Sequence, residues 1–113
     1  MHEDDLWYIA DMVDGELKHG YMLITKRHIK TPFDINEEEW IALRDLLPTG
    51  KSMLDEANPD GYNLGWNINA VGGQNVDHAH LHLFGRFEDE PLAHKGLRYA
   101  FKQPSNKRRD SKA

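Results

Sequence analysis

The stretch His78-Ala79-His80-Leu81-His82-Leu83-Phe84 decides how this chain is read, because histidine alternates with an apolar residue three times in succession. Strict alternation is the mark of a half-buried β-strand. Successive side chains on a strand point to opposite faces, so His78, His80 and His82 are expected along one face while Ala79, Leu81 and Leu83 press into a core. The imidazoles then form a row with a spacing of about 6.6 Å, two strand rises.

Such a row has three possible uses. Histidine is the commonest metal ligand, but the outer two Cα atoms lie roughly 13 Å apart on an extended strand, while zinc–nitrogen bonds are about 2.0–2.1 Å long. One ion therefore reaches two of the three rings at most. The residues could also be ordinary polar side chains on a solvated face. The third use is nucleophilic catalysis by the central ring: potential positive charges on both sides of His80 favour its uncharged form. Its neighbours would bind an anion, which suits phosphoryl-type transfer; cysteine is absent and no serine sits near the row.

The pattern His-apolar-His-apolar-His-apolar-apolar resembles the signature of the histidine triad (HIT) family of nucleotide hydrolases and transferases, and His78 to Phe84 fit it at every position. Upstream, Gly72-Gly73-Gln74-Asn75-Val76-Asp77 resembles the family's phosphate loop, and Tyr21-Met22-Leu23-Ile24-Thr25-Lys26-Arg27-His28-Ile29 its earlier strand and turn. The resemblance implies His80 as nucleophile with His78 and His82 in support. It also implies Asn67, Gly73, Gln74 and Asn75 around the phosphate, and Asp11 on the ribose hydroxyls. Two departures stand out: Asn75 replaces the usual serine or threonine, and Gly20 falls where relatives commonly carry histidine, with His19 beside it.

Composition sets the outer bounds. With 113 residues, 39% hydrophobic and 29% charged, the chain is expected to form one domain over residues 1–102, followed by a disordered basic tail over 103–113. No apolar run is long enough to span a membrane. The acidic start Met1-His2-Glu3-Asp4-Asp5 is unlike a secretion signal, and with no cysteine a cytoplasmic location is the expectation. A net charge of −5 disfavours general nucleic-acid binding.

Along the chain, Leu6 to Met12 and Tyr21 to Thr25 read as strands joined through the turn signal Asp14-Gly15. Lys26, Arg27, His28 and Lys30 read as a solvated basic loop. Asn36 with Glu39 forms a capping box, and Trp40, Leu43, Leu47 and Leu54 give an apolar helical stripe that Pro48 should kink or break before it resumes to about Ala57. Tyr62 to Asn69 alternates again: Tyr62, Leu64, Trp66 and Ile68 face the core, and Asn63, Gly65, Asn67 and Asn69 lie beside the histidines. Gly72-Gly73 suits either an anion-binding nest or a plain hairpin. Arg86 reads as a rim residue, and Leu97, Tyr99 and Phe101 as a short final strand or extended arm.

The expected fold is α+β, an antiparallel sheet with one long kinked helix packed on it. The resemblance implies a continuous sheet across a homodimer. It also implies a purine nucleotide or nucleoside phosphate derivative (dinucleoside polyphosphate, nucleoside phosphoramidate or acyl-adenylate) cleaved through a nucleotidyl-histidine intermediate without a cofactor. A nucleotide-binding module with little catalysis is the alternative that Asn75 raises, and a metal-binding protein is the third.

Overall fold

The computed structural model of the chain describes residues 2–109. Strands β1 (His2–Glu3), β2 (Trp7–Asp11) and β3 (Gly20–Thr25) precede helix α1 (Glu37–Leu54), which is followed by β4 (Gly61–Trp66) and β5 (His80–Arg86). The strands form one antiparallel sheet in the order β1-β2-β3-β5-β4. The α+β expectation is met, and β5 lies inside the sheet with a partner on each side.

Helix α1 covers one face. Trp7, Ile9, Leu23, Leu81 and Leu83 from three strands are buried with Leu43, Leu46 and Leu54 of the helix. The helix begins where the sequence places it: Asn36 Oδ1 accepts from Glu39 N–H, and Glu39 Oε1 accepts from Asn36 N–H. Its buried face differs from the expected stripe. Glu39, Leu43, Leu46, Gly50 and Leu54 point inward, whereas Trp40 is 47% exposed. A Cβ on Gly50 would sit 2.9 Å from Leu83 Cδ2, so this glycine lets the helix approach the sheet.

Pro48 does not break the helix, which runs continuously as 18 residues through it. Proline removes one internal hydrogen bond, and the buried contacts on either side, Leu46 and Gly50, hold the axis together. The resumption to Ala57 is a 3₁₀ turn over Asp55–Ala57.

Other boundaries shift as well. The histidine strand starts at His80, with His78 in a bend before it. β4 ends at Trp66, because Asn69 takes φ 64° at the start of the 3₁₀ turn Ala70–Gly72. Leu64 is 46% exposed, since β4 is an edge strand. Residues 97–102 form no strand: Phe101 and Lys102 N–H both donate to Arg98 carbonyl, closing turns instead of a ladder. The tail expected to be disordered from Gln103 folds back at its start, with Gln103 Nε2 donating to Tyr99 carbonyl and Asn106 Nδ2 to Phe101 carbonyl. Asp110–Ala113, including Lys112, lie outside the described residues. Among the described residues no helix is long and apolar enough to cross a membrane.

The basic loop is less solvated than expected. Arg27 donates through Nε and Nη2 to both carboxylate oxygens of Glu39, a side chain that is 1% exposed. That pair, aided by Asn36 N–H, holds the Glu39 carboxyl below the usual carboxylate range despite burial. Removing the guanidinium by Arg27→Ala leaves a buried charge without a partner. The loss of stability in urea at pH 7 is expected to be severalfold larger than for Lys26→Ala, which breaks only the exposed pair with Glu3. A lowered carboxyl pKa contributes stability above its unfolded value and loses it as pH falls through the folded one. The gap between wild type and Arg27→Ala therefore narrows below about pH 4.3, and an unchanged gap at pH 3 refutes the assignment.

Candidate active site

The face of β5 opposite the helix carries His80 and His82, both half-buried. Register puts Ile24 of β3 beside His80, with Met22 on one side of His82 and Gly65 of β4 on the other. The matching of apolar faces that placed asparagines near the imidazoles holds, but the ladder stops at Trp66, one residue short of Asn67. Asn67 instead lines, with His82, Trp66 and Phe84, a cavity of about 390 Å³ on this face.

His80 Nδ1 lies 2.8 Å from the His78 carbonyl oxygen. A carbonyl only accepts, so Nδ1 carries the hydrogen, and the uncharged ring has its lone pair on Nε2. That nitrogen has no hydrogen-bond partner among the described residues. The orienting group is the main chain of His78, whose ring acts elsewhere: its Nε2 donates to the Thr25 carbonyl at 2.8 Å, with Thr25 Oγ1 at 3.3 Å. The Thr25 hydroxyl donates to the Arg27 carbonyl at 2.8 Å, and the His28 ring meets His78 edge-on with centroids 5.0 Å apart. Thr25 is fully buried, and sequence reasoning passed it over because a threonine ending a strand carries no signal of its own.

His82 is the other ring on this face. It meets His80 edge-on with centroids 4.8 Å apart, and its Nε2 is buried without a partner among the described residues. Burial pushes its pKa down, the His80 ring adds to the fall, and the Asp14 carboxylate opposes both. Asp14 lines the same cavity as His82.

Asp11 does not share that cavity. It pairs with Tyr21, which pairs with Leu83, so Asp11 belongs to the helix-facing side of the sheet, where it borders a groove with Lys18, His19 and Glu56. The loop between β2 and β3 brings Met12, Asp14 and Leu17 to the His82 cavity instead. Asp14-Gly15 gave a turn signal and nothing about direction. A side chain at Gly20 would have to displace Met12, since a Cβ would lie 2.7 Å from Met12 Sδ and 3.0 Å from Phe84 Cβ. His19 packs its ring on Phe87, in a groove whose lining contains none of the triad histidines.

The phosphate-like loop is built differently from the expected nest. Gly73 takes φ +94°, the left-handed region that favours glycine. The N–H groups of Gly72, Gly73 and Gln74 are engaged by the carbonyls of Asn69 and Ala70. Gln74 spends its amide on the loop, donating to the Lys30 and Val76 carbonyls and accepting from Asn69 N–H. Asn75 is exposed, and neither its side chain nor the N–H groups of Asn75 and Val76 have a partner among the described residues. Any anion at this loop is thus met by Asn75 and Val76 rather than by the glycines. Arg86 is occupied as well, donating to Glu90, Asn63 and the carbonyls of Leu92 and Lys95. Among the described residues no three His, Cys, Asp or Glu side chains converge on a point that would hold a metal ion.

Both the sequence and the fold resemble known proteins. The family described as "Scavenger mRNA decapping enzyme C-term binding" matches residues 1–95. The purine nucleoside phosphoramidase of Escherichia coli is 32% identical over 100 residues, covering 86% of this chain and 84% of that one. A HIT family hydrolase from Legionella pneumophila superposes with a TM-score of 0.60 at 33% identity, over 75% of this chain and 78% of that one. A HIT family protein from Bacillus anthracis gives a TM-score of 0.72 at 28% identity over 79% of this chain, which spans only 64% of that structure's length. The chain belongs to the histidine triad family of nucleotide hydrolases and transferases.

The electrostatics of His82 can be tested directly. In a titration followed by NMR, His82 is expected to lose its proton below the ordinary histidine value of about 6.5, and Asp14→Asn to move the midpoint lower still. A midpoint above the ordinary value, or one that rises in the variant, contradicts the packing described.

Proposed function

We propose that this protein hydrolyses a purine nucleoside phosphate derivative at its α-phosphorus, with His80 as the nucleophile. The observation that carries the reading is the hydrogen bond from His80 Nδ1 to the His78 carbonyl, which leaves Nε2 as the unshared nitrogen on the open face of the sheet. The name of the Escherichia coli relative supports the nucleoside phosphoramidate class, and a dinucleoside polyphosphate or acyl-adenylate presents the same phosphorus.

In the first step the lone pair of Nε2 forms a bond to the α-phosphorus while the bond to the leaving group breaks. In the second, water attacks the phosphorus, the N–P bond breaks and His80 is restored. Two moderate displacements replace one difficult one. His82 Nε2, Asn67, the Asn75 amide and the N–H groups of Asn75 and Val76 are the groups available to stabilise charge on the non-bridging oxygens. Gln74 acts by holding the loop in shape. His78 acts by fixing the backbone to which His80 is bonded. We place the ribose near Asp14 rather than Asp11, because Asp14 lines the cavity with His82.

Acid-labile label trapped during turnover of an adenosine phosphoramidate, read by mass spectrometry of the intact chain, is expected on His80. His80→Ala should lower kcat at least a thousandfold and abolish the label while AMP still raises the melting temperature. Full turnover in that variant refutes the mechanism. Binding without label in the wild type selects the binding-module alternative.

We further infer a homodimer formed through β4, whose outer edge is unpaired among the described residues and exposes Leu64. Leu64→Lys is expected to convert a dimer into a monomer in sedimentation equilibrium. A wild type that sediments as a monomer refutes it.

A further inference from the structure

Charge is divided unevenly along this chain. Eighteen of the nineteen Asp and Glu residues lie before Pro91, together with seven of the fourteen Lys and Arg. From Pro91 to Arg109 there is no acidic residue, while Lys95, Arg98, Lys102, Lys107, Arg108 and Arg109 are cationic. A polyphosphate is therefore repelled by most of the molecule and attracted by one segment.

The fold sets that segment beside the His82 cavity. A groove of about 610 Å³ is lined by His94, Lys95, Arg98, Tyr99 and Lys102, with Leu97 in its wall. Leu97 also lines the cavity that contains His82 and Asn67, so the two hollows share a side chain. The turn that closes Lys102 N–H onto the Arg98 carbonyl keeps these two cations together. Neither is paired with a carboxylate among the described residues.

We propose that this groove receives the phosphates beyond the α-phosphate, which makes a dinucleoside polyphosphate the preferred substrate class. The inference rests on the nucleotide reading of the triad given above. When His80 Nε2 bonds to the α-phosphorus, the bond that breaks runs to the oxygen shared with the β-phosphate, and the leaving group departs with one more negative charge. Arg98 and Lys102 offset that charge. A phosphoramidate or acyl-adenylate has no distal phosphate and gains nothing from the groove.

The test compares AMP with diadenosine tetraphosphate by titration calorimetry on full-length His80→Ala, which prevents turnover. Adding Arg98→Gln and Lys102→Gln together is expected to raise Kd for diadenosine tetraphosphate at least tenfold and Kd for AMP less than twofold. Salt should weaken the tetraphosphate more than AMP, and the double change should remove that difference. Equal effects on both ligands, or no effect on either, overturn the groove while leaving the triad reading in place. If neither ligand binds, both fail. Charge-retaining Arg98→Lys with Lys102→Arg restores tetraphosphate binding if charge is the cause; failure to restore it counts against the proposal.

Discussion

The pleat of β5 is the constraint on which the rest of the structure depends. Ala79, Leu81 and Leu83 are each 3% exposed or less, and burying a leucine side chain contributes roughly 1.5–3 kcal/mol. The same backbone then has to turn His80 and His82 to the other face. Because β5 is hydrogen-bonded to β3 on one side and β4 on the other, a slip of one residue would break two ladders and bury the imidazoles. The hydrophobic effect, acting on the residues of one face, fixes where the two imidazoles of the other face point.

A second set of interactions fixes how they point. The capping box starts α1 at Glu39, and Glu39 anchors Arg27. Thr25 bonds the Arg27 carbonyl, His78 bonds the Thr25 carbonyl, and His80 bonds the His78 carbonyl. The tautomer of His80 is thus specified by a chain of bonds that leads back to the start of the helix. No neighbouring acid is needed to set it. Main-chain acceptors suit this task because they cannot change protonation state as pH varies.

What could be read in the sequence was what is local or periodic. The alternation at His78 to Phe84 and the Asn36–Glu39 box act within a few residues, and both are present. Features that depend on distant partners left no trace. Gln74 bonds a carbonyl 44 residues away, and His78 meets Thr25 across 53. Nothing in either side chain's neighbourhood announces a partner. Nothing around Gly50 in sequence shows that its bare Cα is where the helix comes against Leu83. Asp11 and Asp14 are three residues apart and border one groove, yet only Asp14 also reaches the His82 cavity, a difference set by loop path rather than residue type.

The cavity that contains His82 also holds Asp14, whose charge acts on the His82 ring. His82 is uncharged more readily than a free histidine because it is partly desolvated and lies against His80. An anion bound in this cavity would add negative charge beside the ring and so favour its protonated form. Thermodynamic reciprocity then requires that a proton taken up by His82 strengthen the hold on phosphate by the same factor. Asp14 favours the protonated ring even when the cavity is empty, at the expense of repelling an anion. Desolvation of the ring and the Asp14 carboxylate therefore work against each other in the free protein.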